Sequence, residues 1–380
     1  MIDCSSPVFL GDVSGAFDRV HRPYLLNKLR RSGLNETWCK FLHDYLAPRI
    51  AEVIVSGTSS ERYCMFDQVF QGTVLGPPLW NVFFADVRQA LVKNGTSEAK
   101  FADDLMGHKE YSAATSNETI LADLHACQEA AHDWGATNRV CFDGTKEAFR
   151  ILHGRQTHGE CFKYLGVKFD TRLLMSEEIN RILSRSRPKV KAILRSQRYY
   201  STKQLIQQFK THVLCIQEGS TAAFFHAASS HLEILNVIQR DFVAKVGLSD
   251  EEAFIDHNLA PLKIRRNIAA LGFLHRVTLG LAHPDIAKLF PPEPNASHRF
   301  RTRLSINRHG KQLMDRCDGT QNDLVHRSFF GMVRVYNLLP DRAIEKQTVH
   351  TFQRELTSMA RKLCHTSHQW QSLFCARAPQ

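Results

Sequence analysis

The chain has 380 residues, 43% of them hydrophobic, and a formal net charge of +11. That length suggests two or three domains with ample cores, and the charge favours a polyanionic partner. No apolar run reaches the ~20 residues of a membrane span. Met1-Ile2-Asp3-Cys4 lacks the basic start and apolar core of a signal peptide. The ten cysteines include no CxxC pair, so they read as reduced, often buried thiols of an intracellular protein. Cys364-His365 with His368 is too sparse a set for zinc.

Pro7 to Leu10 reads as a short buried strand ending at Asp12, and His21 to Arg31 as a helix stopped at Gly33. Asn35 is placed to cap a second helix that runs through Tyr45 and stops before Pro48. Ile50 to Val55 and Arg62 to Phe66 read as paired strands around Gly57-Thr58. The spacing predicts one helix over Pro78 to Val92, with Trp80, Phe83, Phe84, Val87 and Leu91 on its apolar side. Lys100 to His108 reads as a hairpin with Asp103 and Asp104 at its tip, and Asn117 to Ala136 as a long helix. Glu147 to Leu152 and Phe162 to Val167 are further strands. Antiparallel strands covered by helices make an α+β domain.

After Asp170 the pattern is helical: Met175 to Ser196, Thr202 to Glu218, Ser230 to Val246 and Leu262 to Leu281. Pro188 is expected to kink or split the first. Pro291-Pro292-Glu293-Pro294 reads as a linker, and a last helix is expected over Val349 to Leu363. From Ile179 to Lys210 there is no Asp or Glu, while Arg181, Arg185, Arg187, Lys189, Lys191, Arg195, Arg198, Lys203 and Lys210 accumulate. A second basic run holds Arg299, Arg301, Arg303, Arg308, Lys311 and Arg316.

Two acidic clusters carry the chemistry. Gly11-Asp12-Val13-Ser14-Gly15-Ala16-Phe17-Asp18 lies far upstream of Phe101-Ala102-Asp103-Asp104. An Asp-Asp pair at a strand turn, faced by a third Asp at the end of another strand, is a way to hold two Mg²⁺ ions for phosphoryl transfer. Either cluster alone is weak, since most Asp-Asp pairs are solvated turns. Their order with other blocks is what counts. Between them lies Gln71-Gly72-Thr73-Val74-Leu75-Gly76-Pro77-Pro78-Leu79-Trp80-Asn81. After them come Phe142-Asp143-Gly144-Thr145-Lys146-Glu147 and Phe162-Lys163-Tyr164-Leu165-Gly166-Val167.

This ordered set resembles the palm motifs A to E of reverse transcriptases from non-LTR (LINE-type) retrotransposons. Leu259-Ala260-Pro261-Leu262-x-x-Arg265-Arg266 and Val335-Tyr336-Asn337-Leu338-Leu339-Pro340 extend the resemblance, less specifically, toward the end of the chain. The implied architecture is a partial right-hand polymerase: a palm over 1–172, a helical thumb and connection over 173–290, and a basic helical C-terminal region over 291–380. The implied function is RNA-directed DNA polymerase, a nucleotidyltransferase acting on an RNA template, a DNA primer and dNTPs, with two Mg²⁺ or alternatively Mn²⁺. A nuclear location is expected from the family, and no membrane association.

The resemblance assigns roles by position. Asp12, Asp103 and Asp104 are the expected metal ligands, Asp103 ranked above Asp104, with the main-chain carbonyl of Val13 completing the shell. Phe17 stands where the family has its steric gate against a ribose 2′-OH. Asp18 reads instead as a helix cap. Gln71 and Gly72 are expected at the nucleotide, Gly72 because its backbone can approach closely. For Leu75-Gly76-Pro77 a plain loop entering a helix suffices, and for Trp80 a core role. Lys146 is a candidate proton donor to the leaving pyrophosphate, or an ordinary surface lysine. Tyr164, Leu165 and Gly166 correspond to the primer grip, or form a plain turn. The acid-free cations fall where a thumb tracks the template–primer backbone through phosphate contacts, unless they are only a solvated face. His108 and the other histidines read as structural or surface residues.

Asp12 falls close to the start of the chain, so the family's upstream fingers are expected to be missing, as in a 5′-truncated element or a shortened gene model. The family's nuclease domains are not expected either. The palm sheet is then expected to have an exposed edge. Three rivals stay open: an inactive remnant that only binds RNA or DNA, an RNA-dependent RNA polymerase, disfavoured by Phe17 and by the Gln71-Gly72 block, and a structural helical protein.

Overall fold

Five consecutive buried residues, Pro7 to Gly11, suit β1 (Ser6–Asp12) to an inner place in its sheet. The computed structural model describes residues 6–93, 95–112, 114–152, 159–294, 309–366, 370 and 373–376. The chain divides into two compact units, Ile2–Gly166 and Val167–Gln380.

In the first unit β1 is followed by a 3₁₀ turn, Ala16–Arg19, and by α1 (Arg22–Arg31) and α2 (Glu36–Tyr45). Asn35 caps α2, its side chain accepting from Trp38 N at 3.0 Å. Two short ribbons come next: β2 (Arg49–Ala51) pairs with β5 (Tyr63–Met65), enclosing β3 (Ile54–Val55) and β4 (Thr58–Ser59). Then come α3 (Gly76–Phe84), α4 (Val87–Val92), β6 (Ser97–Phe101), β7 (Asp104–His108), α5 (Asn117–Asn138) and β8 (Ala148–Leu152). Last in this unit is β9 (Phe162–Tyr164).

The principal sheet has the order β6-β7-β1-β8, with every neighbouring pair antiparallel. Phe9, Leu105, Trp80, Phe83, Ile120 and Leu124 form the core beneath it. α5 packs on β1, and the sheet comes so close that a Cβ on Gly107 would stand 2.6 Å from Cys127 Sγ. The result is the expected antiparallel sheet with covering helices.

Three local expectations are corrected. The helix foreseen from Pro78 to Val92 is two, α3 and α4, broken at Ala85-Asp86. There Asp86 Oδ1 accepts from both Lys28 Nζ and Trp134 Nε1 at 2.8 Å, which ties the break to α1 and α5. The strand foreseen from Phe162 to Val167 is interrupted by a turn with Leu165 at φ 47° and Gly166 at φ 79°. Asp18 caps nothing: it lies inside the 3₁₀ turn, and α1 starts after His21 without a side-chain cap.

The second unit begins with β10 (Val167–Phe169) and is otherwise helical. It contains α6 (Ser176–Arg195), α7 (Thr202–Phe209), a π-helical segment Lys210–Leu214, α8 (Cys215–Glu218) and α9 (Thr221–Phe224). α10 (Ser229–Lys245), α11 (Asp250–Ile255), α12 (Leu262–Thr278) and α13 (Pro284–Ala287) follow. The last helices are α14 (Asp323–Arg327), α15 (Phe329–Asn337), α16 (Asp341–Ile344) and α17 (Val349–Cys364).

One core gathers Ile179, Ile182, Phe209, Leu235 and Phe242. A second gathers Phe225, Leu271, Phe290, Leu313, Tyr336 and Phe352, drawn from both sides of Pro291. α6 is not split at Pro188. The ring lies on the exposed side, as does Ser184, whose carbonyl it leaves without a helical donor. Nor is Pro291 to Glu293 an open linker: Glu293 N donates to Gln312 O and Met314 N to Pro291 O. Of the second basic run, only Lys311 and Arg316 fall within the described residues. Among those residues no helix is long and apolar enough to cross a membrane.

Candidate active site

Antiparallel register puts Asp12, the last residue of β1, directly opposite Asp104, the first of β7. Residues so paired project to the same face of the sheet with Cβ atoms roughly 5 Å apart. Asp103 precedes them in the turn from β6, held there because Val13 N donates to its carbonyl at 3.3 Å. All three carboxylates are half-buried. Burial, with the adjacent charges of Asp103 and Asp12, raises the proton affinity of Asp104 above that of an ordinary carboxylate, and Lys146 opposes this.

The turn itself is strained. Ala102 has φ 54°, a left-handed conformation that a residue with a Cβ rarely adopts. It is pinned by Trp80, whose Nε1 donates to the Ala102 carbonyl at 2.8 Å. Trp80 is indeed a core residue, yet its one polar atom fixes the acidic turn, a role not read from the sequence. Phe17 stacks on the same indole with ring centroids 6.2 Å apart. Phe17 is thus linked through Trp80 to the turn that carries Asp103.

Lys146 is brought to the cluster from the segment before β8. Its Nζ donates to Asp12 Oδ2 at 2.7 Å and lies 3.6 Å from Asp143 Oδ2. The bond to Asp12 and its charge raise the proton affinity of Lys146 above that of a free lysine. Asp143 is the second residue missed, though it sits in the same block. Its Oδ1 accepts from Thr145 Oγ1 at 2.6 Å and Thr145 N at 3.1 Å, which hold it below the usual carboxylate range. Its backbone N–H donates to Asp12 O at 2.9 Å. An acid three residues before the candidate lysine, followed two residues on by a hydroxyl, is the signal that could have found it.

Tyr164 also belongs to this neighbourhood, since burial and then the charge of Asp104 raise its proton affinity. Gln71 and Gly72 lie on an exposed loop, Gly72 at φ 78° with open space where a Cβ would be. The loop leads into α3 at Gly76, where an added Cβ would come within 3.0 Å of Phe17 Cε1.

The donor set is hard oxygen throughout, which suits Mg²⁺ or Mn²⁺. The mutual repulsion recorded at Asp104 is what a dication would relieve. The three carboxylates are nevertheless not drawn tightly together: among the described residues no group of three acidic, His or Cys side chains forms a ready cation site. The residues fit the ion chemically, with Asp12 shared between it and Lys146.

Of the nine cations of the acid-free stretch, the seven from Arg181 to Arg198 sit in the second unit on α6 and the turn after it. Arg181 is turned inward: its Nε and Nη2 donate to the buried Glu178 at 2.8 and 2.5 Å. Glu178 also accepts from Lys168 N at 2.9 Å. Arg185, Arg187, Lys189, Lys191, Arg195 and Arg198 are exposed.

Residues 5–169 match the family described as reverse transcriptase (RNA-dependent DNA polymerase). They form a reverse transcriptase domain, and the relatives that the chain resembles are polymerases of non-LTR (LINE-type) retrotransposons. It is 32% identical over 196 residues to the RNA-directed DNA polymerase from mobile element jockey of Drosophila melanogaster, covering 47% of this chain and 21% of that protein. The jockey polymerase of Drosophila funebris is 26% identical over 331 residues, covering 80% of this chain and 36% of the relative. A probable RNA-directed DNA polymerase from transposon X-element of Drosophila melanogaster is 30% identical over 199 residues, 49% of this chain and 22% of the relative. The chain therefore spans between about a fifth and a third of the length of these relatives.

Proposed function

We propose that the chain carries the palm chemistry of RNA-templated DNA synthesis. The observation that carries this reading is the Asp12–Asp104 register pair with Asp103 in the adjoining turn. In this reading a primer 3′-hydroxyl loses its proton to solvent and its oxygen attacks the α-phosphorus of a dNTP. The O3′–Pα bond forms, the bond from Pα to the bridging oxygen breaks, and pyrophosphate leaves. Asp12, Asp103, Asp104 and the Val13 carbonyl would hold two Mg²⁺ or Mn²⁺ ions, which when bound neutralise the charge on the entering and leaving oxygens. Lys146, charged and placed at the edge of the cluster, gives its proton to the leaving pyrophosphate once it has released Asp12. Phe17, braced by Trp80, stands against a ribose 2′-OH. Gln71 and Gly72 border the incoming nucleotide, and Tyr164-Leu165-Gly166 holds the primer end.

The second unit supplies the helical thumb and the C-terminal region. Exposed cations such as Arg185, Lys189 and Arg198 are its phosphate contacts in this reading, Arg198 lying over the exposed Tyr199 ring at 4.6 Å. In the intact element the reaction takes place in the nucleus.

Primer extension on an RNA template with a DNA primer, dNTPs and Mg²⁺ tests the reading. Extension by the wild type, lost in a folded Asp103→Ala variant, supports it. No extension with either Mg²⁺ or Mn²⁺, with salt-sensitive duplex binding retained, replaces it by a nucleic-acid-binding remnant. The hold of Lys146 on Asp12 is the observation that favours that second reading.

A further inference from the structure

An open groove of about 700 Å³ runs between α6 and α10, both inside the second unit. Its floor is aliphatic, made by Val190 and Leu194 from α6 and Ile234, Val237 and Ile238 from α10. Ile234 is 39% exposed, unusual for an isoleucine beside a core. The α6 wall carries Arg187, Lys191 and Arg195, spaced i, i+4, i+8 and so aligned on one stripe. Among the described residues none of these three makes an ion pair or side-chain hydrogen bond, and neither does Asp241 on the opposite wall. Glu233, the other acid there, is already drawn to Arg240 at 3.2 Å and Asn236 at 2.6 Å. Lys245 adds a further cation. The rim is thus cationic along α6, with a single free acid facing it.

We propose that this groove docks an amphipathic helix of a partner protein. The partner helix would lay aliphatic side chains on the Leu194–Ile234 floor and set acidic residues against the Arg187–Lys191–Arg195 stripe. A groove between two packed helices is completed by a third helix through i, i+3, i+4, i+7 anchors. Nucleic acid fits the site less well. A phosphate backbone offers nothing to cover five aliphatic side chains, and the lining holds no aromatic ring on which a base could stack. A second copy of the chain is also disfavoured, since its net charge of +11 opposes the cationic wall.

The probe is a labelled helical peptide of about 15 residues, the length that spans the groove at 1.5 Å per residue. It carries leucines at i, i+3, i+4 and i+7, with glutamates along one flank. Fluorescence anisotropy with the full chain should show saturable binding, weakened at least about tenfold by Ile234→Asp and by Lys191→Glu (about 1.4 kcal/mol). Ile234 is exposed enough for its variant to fold, which circular dichroism checks. A matched peptide with lysines in place of glutamates should bind at least about tenfold more weakly. No binding, or equal binding of the two peptides, overturns the proposal. So does equal loss of RNA–DNA duplex binding in Ile234→Asp, which would make the groove part of a nucleic-acid surface. Self-association on light scattering that Ile234→Asp abolishes would assign it to a second copy instead.

Discussion

Asp12 and Asp104 occupy one register position on neighbouring strands, so the two carboxylates are neighbours by construction of the sheet rather than by loop packing. Burial, and after it repulsion from Asp103 and Asp12, raises the proton affinity of Asp104, so its ionised form is held at a cost. Asp12→Ala and Asp103→Ala should each lower extension by at least about 10²-fold, roughly 3 kcal/mol of barrier. Asp104→Asn should melt at or above the wild-type temperature, because it removes a charge the fold disfavours. A lower melting temperature would show that Asp104 is a structural residue.

Lys146 should split from the ligands in its kinetics. Lys146→Ala is expected to slow single-nucleotide incorporation by about 10²-fold, within the usual range for a lost proton donor. It should also reach half-maximal rate at a lower Mg²⁺ concentration, because Asp12 loses its competing ammonium partner. An unchanged metal dependence would mean that the pair opens freely in solution.

Phe17 is wedged between Trp80 and the start of α3. Phe17→Ala should narrow the preference for dNTPs over NTPs in parallel incorporation assays and cost about 1–3 kcal/mol of stability, less than for a fully buried ring. Gly76→Ala should disturb the same ring without touching it by substitution, since the new Cβ meets Phe17 Cε1 at 3.0 Å and Phe70 O at 2.9 Å. If Gly76→Ala leaves sugar discrimination intact while Phe17→Ala does not, the ring has room that the packing does not indicate.

Acid should destabilise the second unit through its buried histidines. Burial, reinforced by Arg327, pushes His226 down to about 4, and burial lowers His275 and His309 as well. The folded state therefore keeps these rings neutral, while the unfolded chain takes up protons below about pH 6.5. Stability is full above that pH and falls as pH drops toward 4, by up to about 3 kcal/mol for His226 alone. Urea unfolding at pH 7.5 and pH 5 should show the loss, and His226→Gln should reduce it. An identical pH slope in His226→Gln would remove this assignment.

Much of the site was legible because strand ends and turns leave strong marks in sequence. Pro7 to Leu10 followed by Asp12, and an Asp-Asp pair between apolar residues, suffice to foresee two strands meeting at their acidic ends. Helix starts were legible where a cap marks them, as at Asn35. What was not legible depends on partners distant in the chain. The break at Asp86 follows from Lys28 and Trp134, and the fixing of Ala102 follows from Trp80. Nothing local announces either. Arg181 looked like the first of nine equivalent cations, yet the buried Glu178 one turn earlier takes it out of that set. Charge spacing reveals a stripe, and only packing decides which of its members face water.

The π-helical segment Lys210–Leu214 has a consequence for comparing this chain with others. A wide turn holds one residue more than the α-helix around it would use, so it behaves as an insertion absorbed without leaving the helix. Everything beyond it is rotated by about 100° relative to an unbroken helix. That rotation aims Glu218 at Arg265, whose Nη2 donates to Oε2 at 2.9 Å. Deleting one residue from the segment would restore a regular helix and turn Glu218 away from its partner. An alignment with a relative that lacks the wide turn therefore needs a one-residue gap in mid-helix, and the Glu218–Arg265 pair marks which side of that gap is in phase.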